Sequence, residues 1–240
     1  MNQPHPDQRY GNVTYAQHGD DLMLLAIFDR LGVKKPFYVD IGAHHPSIIS
    51  NTKLLYDRGS SGVNVDPSSY AIKVFNAERP RDQNLQVAIG PAEGIFDFYM
   101  YGERSGRNTL SLDEVESLKG VLKVQETRKV HVITYAQLIQ NYVKRTPDLL
   151  LIDAEGLDYA ILESIDFKTL GYPLVLCVET RVKDTMKMTR LLARSYTGYC
   201  RMGENMFFIR DDKFGGVMGL PETQGEDEDD TEDFSKYARS

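Results

Sequence analysis

Four short apolar runs in this chain each carry an acid at or beside their carboxyl end. They are Phe37-Tyr38-Val39-Asp40-Ile41, Gly62-Val63-Asn64-Val65-Asp66, Leu149-Leu150-Leu151-Ile152-Asp153 and Pro173 to Val178 with Glu179. Runs of this length, rich in Val, Ile and Leu, predict buried strands. Between and around them lie segments with helical spacing: Asp20, read as a cap, through Phe28 with a stop at Gly32; Ser47–Arg58 closed by Gly59; Pro67-Ser68 to Phe75; Thr134–Tyr142; Gly156–Ser164; and Asp184–Ser195. Further strands are predicted at Leu85–Ile89, Ile95–Tyr99 and Lys129–Ile133, the last two alternating and so half exposed. Strands alternating with helices predict βαβ units around a mostly parallel sheet, with helices on both faces. A closing hairpin around Gly203, from Tyr199 to Ile209, adds antiparallel pairing at one edge.

A chain of 240 residues with 41% hydrophobic and 26% charged residues excludes bulk disorder, collagen, coiled coil and disulfide-scaffold classes. It has two cysteines, and Cys177 sits in an apolar run, which favours a buried thiol and a reducing compartment. The segment Met1–Tyr10 is polar, without the apolar core of a signal peptide, and no stretch approaches membrane-spanning length. A cytoplasmic protein is expected. The net charge of −7 is uneven: residues 211–240 hold ten Asp/Glu and three Lys/Arg, and the rest of the chain is balanced. The expected organisation is therefore an arm at 1–19, one domain at 20–210, and an acidic, disordered tail at 211–240. A balanced body argues against a nucleic-acid partner.

In open parallel sheets, ligands bind outside the carboxyl ends of the strands. Buried acids are unfavourable unless paired, so four of them converging on one edge point to a site, with helix caps as the bland alternative. The first turn, Asp40-Ile41-Gly42-Ala43-His44, lacks two glycines of a dinucleotide fingerprint and has no phosphate-binding Lys. An acid there suits a cationic ligand. S-adenosylmethionine carries a sulfonium and an ammonium that Asp40 would attract, with Gly42 and Ala43 allowing close backbone approach. Asp66 matches an acid that hydrogen-bonds ribose hydroxyls.

These segments resemble the FkbM family of S-adenosylmethionine-dependent methyltransferases. The resemblance rests on Phe37–Ala43, on Gly62–Pro67, and most specifically on Asp148–Leu162, which contains Asp153-Ala154-Glu155-Gly156; Val178-Glu179 adds to it. It spans roughly 37–180, with family-like strands to about 210. Ser60-Ser61 stands where relatives often carry an aromatic residue, and His44-His45-Pro46 with Ser50-Asn51-Thr52 is a variant first loop. The resemblance implies a single Rossmann-like class I methyltransferase domain that O-methylates a sugar or other hydroxylated metabolite, with a small-molecule or glycan acceptor. It implies cofactor contacts from Asp40, Gly42, Ala43, His44, Asn51, Asp66, Pro67, Ala88 and Asp153. Asp153, Glu155 and Glu179 are the catalytic candidates.

Asp153 and Glu179 are also candidate ligands for magnesium, with Glu155 or His44 completing the shell. Arg181 is the competing partner for these acids, and Glu155 has an alternative as a helix cap. The polar loop Gly102–Thr109 reads either as a lid whose Arg104 or Arg107 meets an acceptor phosphate, or as a solvated connection. His131 reads as structural. Two other functions remain open at this level: a cofactor-binding protein without turnover, and a nicotinamide-dependent oxidoreductase.

Overall fold

A computed structural model describes residues 13–219. Among these, the main sheet comprises β1 (Phe37–Ile41), β2 (Ser61–Val65), β3 (Gln83–Leu85), β7 (Leu149–Ile152), β8 (Val175–Glu179), β9 (Tyr196–Met202) and β10 (Asn205–Arg210). Their order is β3-β2-β1-β7-β8-β10-β9. β1 pairs in parallel with β2 and β7, and β7 in parallel with β8. β10 inserts between β8 and β9 and runs antiparallel to both. This is a Rossmann-like α/β sheet whose order reverses between β1 and β7, which opens a crevice at their carboxyl ends.

The central strands read as continuous apolar runs because both faces are covered. Leu150, Ile152, Leu176 and Val178 pack on one face, against Leu138 and Ile139, Ile161 and Leu162 of α6 (Asp158–Glu163), and Met188 and Leu192 of α8 (Thr185–Leu192). Leu149, Leu151, Val175 and Cys177 pack on the other, against Leu24, Leu25, Ile27 and Phe28 of α1 (Asp20–Arg30). A second, three-stranded sheet, β4 (Ala88–Ile89), β6 (Glu126–Ile133) and β5 (Gly94–Met100), stands beside the crevice.

Several sequence expectations are corrected. The Leu85–Ile89 strand is split: the chain turns at Gln86, with Val87 N–H bonded to Leu85 C=O, and passes from one sheet to the other. The helix expected at 47–58 shortens to α2 (Lys53–Asp57), because Ile49 adopts φ +53° and the preceding segment is a loop. The helix at 134–142 becomes one α turn, α5 (Tyr135–Leu138), followed by a wider π turn at Ile139–Val143. Asp20 does not cap α1; Gly19 occupies that position at φ +82°. Asp20 instead accepts hydrogen bonds from His18 N–H and the Asn205 side-chain amide, which ties the arm to β10. Ordered chain continues past 210 as α9 (Asp211–Met218), whose Val217 is buried on the α1 side of the sheet. Residues 1–12 and 220–240, including most of the expected tail, lie outside the described residues. No helix among the described residues is long and apolar enough to cross a membrane.

Candidate active site

The turn after β1 is built tightly. Gly42 N–H and Ala43 N–H both donate to Val65 C=O of β2, and Gly42 takes φ +79°. A Cβ at Gly42 would sit 1.7 Å from the Asp153 carbonyl oxygen. The glycine expected to admit a ligand is thus first required by the approach of β1 to β7. His44 follows at φ +55° and gives its N–H to Asp66 Oδ2 at 3.0 Å, while Ser68 N–H reaches Asp66 Oδ1 at 2.7 Å. Each Asp66 oxygen therefore has one backbone donor and keeps lone-pair capacity for another. Burial pushes the Asp66 carboxyl up to about 6, against these two hydrogen bonds. Asp40 is buried one strand away and is also raised by desolvation; its Oδ2 accepts the Thr52 hydroxyl at 2.8 Å.

Asp153 and Glu179 follow the neighbouring strands β7 and β8, and Glu155 follows Asp153. One cavity of about 490 Å³ is lined by all of them together with Asp40, Gly42, Ala43, His44, Asn51, Asp66, Pro67 and Ala88. Every residue singled out in the sequence as a site candidate faces this one space. Burial raises the Asp153 carboxyl well above the usual range, and the nearby Asp158, Glu155 and Asp40 charges raise it further. An oxygen of Glu179 lies within 4.8 Å of one of Asp153. Glu179 itself is raised to about 9, by burial first and by Asp153 next. Glu155 is raised to about 7 by burial and by Glu179, with Arg107 pulling the other way.

A model of the FkbM methyltransferase domain matches residues 40–189. The chain belongs to the FkbM methyltransferase family. No curated protein matches the sequence. Solved structures give low overall similarity. A TehB-like S-adenosylmethionine-dependent methyltransferase from Corynebacterium glutamicum is 11% identical at TM-score 0.42, covering 85% of this chain and 92% of that one. A methyltransferase-like protein from Silicibacter pomeroyi is 12% identical at TM-score 0.44, covering 86% and 95%. A precorrin-6y C5,15-methyltransferase from Geobacter metallireducens is 10% identical at TM-score 0.39, covering 85% and 93%.

In this FkbM chain the loop Gly102–Thr109 contributes a wall of the cavity. Arg107 Nη1 lies 3.3 Å from Glu155 Oε2, and Thr109 Oγ1 donates to Glu155 C=O at 2.7 Å. Glu155 has φ +47°, an unfavourable backbone state for a side-chain-bearing residue, and these two contacts hold it there. Arg104 stacks over the Tyr70 ring, 5.0 Å from its centroid. Glu155 does not cap α6. Asp158 braces that turn, accepting Ala154 N–H at 2.6 Å and Gly156 N–H at 3.1 Å. Arg181 pairs with Glu114, not with Glu179. His131 lies on β6, 4.0 Å from Glu93, and does not line the cavity.

Three participants are not among the site candidates of the sequence. Asp158 brings a carboxylate oxygen within 4.8 Å of those of Asp153 and Glu179. Its position two residues after Gly156, opening a helix, was the available signal. Thr52 and Arg79 have no such local signature, since their importance depends on contacts across 12 and 27 residues.

Proposed function

We propose that this FkbM methyltransferase transfers a methyl group from S-adenosylmethionine to a hydroxyl of a sugar or another hydroxylated small molecule. The observation that carries this reading is the meeting, in one cavity, of Asp40 and Asp66 on one side with Asp153, Glu155 and Glu179 on the other. The cofactor supplies an electrophilic methyl on a sulfonium. Asp66 accepts from ribose hydroxyls with its free lone pairs, and Asp40 attracts the cationic end. Gly42, Ala43, His44, Asn51, Pro67 and Ala88 wall the cofactor.

On the acceptor side, Glu155 is the base. A carboxyl near 7 is partly ionised at neutral pH, and a base is most effective when its pKa lies near the working pH. Glu179, near 9, stays protonated at neutral pH, and its hydroxyl beside Asp153 orients the acceptor oxygen. The Asp153, Asp158 and Glu179 oxygens are hard donors of the kind magnesium takes. Glu179, however, is held protonated at neutral pH by burial and by Asp153, which already relieves the crowding of charge. No step of the proposed transfer runs through a metal, and full turnover in excess EDTA is expected.

The lining holds seven carboxylates (Asp40, Asp66, Glu103, Asp153, Glu155, Glu179, Glu204) against Arg104 and Arg107. Both arginines are engaged, by Tyr70 and by Glu155, which favours a neutral polyol over a phosphorylated acceptor. The test is incubation with methyl-labelled S-adenosylmethionine and a panel of hydroxylated sugars and lipid-linked glycans. Label on an acceptor oxygen is expected. Cofactor binding by equilibrium dialysis with no transfer to any acceptor would leave a binding protein without turnover, and a preference for NAD would overturn the reading altogether.

A further inference from the structure

We propose that Thr52 and Arg79, neither of which lines the cavity, are positioning residues that set Asp40 and the 46–52 loop to receive the methionine end of the cofactor. The inference rests on the cofactor reading given above. Arg79 is fully buried at the carboxyl end of α3 (Ser69–Glu78). Its Nη1 donates to Thr52 Oγ1 at 2.7 Å, and its Nη2 donates to Ser50 Oγ at 2.7 Å and to Pro46 C=O. One guanidinium thereby holds both ends of the loop that carries Ile48, Ile49 and Asn51 into the cavity.

The direction of the relay follows from proton counting. Arg79 has donors only. Thr52 has one hydroxyl hydrogen, so with Arg79 occupying a lone pair, that hydrogen goes to Asp40 Oδ2 at 2.8 Å. Thr52 is also the residue that precedes α2, a position where a threonine oxygen normally accepts a helix N–H. Here it caps nothing, and its hydroxyl is spent on Asp40 instead. Asp82, 3.9 Å from Arg79 Nη1, balances the buried guanidinium and anchors it to the sheet through Tyr38 O–H at 2.6 Å, Gly62 N–H at 2.9 Å and the Asn64 amide at 3.0 Å. Asp40 is thus held by a hydroxyl donor and fixed in rotamer, from behind the cavity wall.

The experiment compares two ligands on the full chain. S-adenosylhomocysteine carries the amino-acid end, and 5′-methylthioadenosine lacks it. For Thr52→Val, S-adenosylhomocysteine affinity is expected to fall about tenfold or more, the scale of one hydrogen bond to a charged group. 5′-Methylthioadenosine affinity is expected to stay within about twofold. Thr52→Ser keeps the hydroxyl and is expected to restore S-adenosylhomocysteine binding. Arg79→Lys keeps the charge but replaces the two-pronged fork by one nitrogen on a shorter side chain, and the same selective loss is expected, so the proposal does not depend on one variant folding. Unchanged affinity for both ligands in both variants, or an equal loss for both ligands, would overturn the positioning role while leaving the cofactor reading intact. A wild-type chain that binds neither ligand would remove the cofactor reading and this proposal together.

Discussion

Asp66 and Glu155 show how a single side chain takes its chemistry from what surrounds it. Asp66 has one backbone donor on each oxygen and is buried, so it is an acceptor prepared for hydroxyl donors. Asp66→Ala is expected to weaken S-adenosylhomocysteine binding by about 1–3 kcal/mol, measured by calorimetry. Unchanged affinity would remove this residue from the site. Glu155 was visible in the sequence through its Asp153-x-Glu155-Gly156 setting, but not its left-handed backbone or its Arg107 partner. Glu155→Gln is expected to lower kcat about 10²- to 10⁴-fold, with cofactor KM little changed. The wild-type rate should rise with pH through about 7 as Glu155 loses its proton, and that limb should vanish in the variant. Persistence of the limb would assign the base to another group. Gly42 carries the opposite lesson: it was read for the ligand, and its first duty is to the Asp153 carbonyl.

Two elements were harder to read than their composition suggested. Segment 211–218 belongs to a strongly acidic stretch, yet α9 buries Val217 and takes a hydrogen bond from Arg30 Nη1 to Val217 C=O at 3.1 Å. Deletion from residue 211 is expected to lower Tm by on the order of 5 °C, since burying a Val side chain contributes about 1.5–3 kcal/mol. Truncation after Gly219 removes none of these contacts and is expected to leave Tm nearly unchanged. Equal Tm for the two truncations, by calorimetry, would show that α9 adds nothing. The loop Gly102–Thr109, open in the sequence between a lid and a solvated connection, lines the cavity, and its arginines meet Glu155 and Tyr70. Arg107 lowers the Glu155 pKa, so Arg107→Ala should move the rising limb of the pH–rate profile to higher pH. A limb that stays in place would separate the loop from the base. The helix expected over 47–58 failed for a related reason: Arg79, far along the chain, clamps Pro46, Ser50 and Thr52 into a loop that local spacing cannot anticipate.

At the scale of the whole molecule, the concentration of acids at one sheet edge sets the response to pH. Asp40, Asp66, Asp153, Glu155, Asp158 and Glu179 are all raised, chiefly by burial. In each case the folded state holds a proton that the unfolded chain releases near pH 4, so the unfolded state gains as pH rises. The destabilisation grows through about 6 for Asp66 and Asp158, about 7 for Glu155 and about 9 for Glu179. Surface carboxylates held low by hydrogen bonds, such as Glu126 with Arg128 and Asp166 with Thr169, act only below that range. Tm of the ligand-free chain is expected to fall from pH 5 to pH 9, and a flat or rising profile in scanning calorimetry would contradict the burial of this cluster. The parallel α/β sheet, its strand-end acids and the family were legible in the residues alone, because apolar runs and strand-end residues are local features tied to a fixed topology. Which acids are pushed up, which arginine meets which carboxylate, and what holds Asp40 were set by the packing, because those outcomes depend on burial and on contacts between residues far apart in the chain.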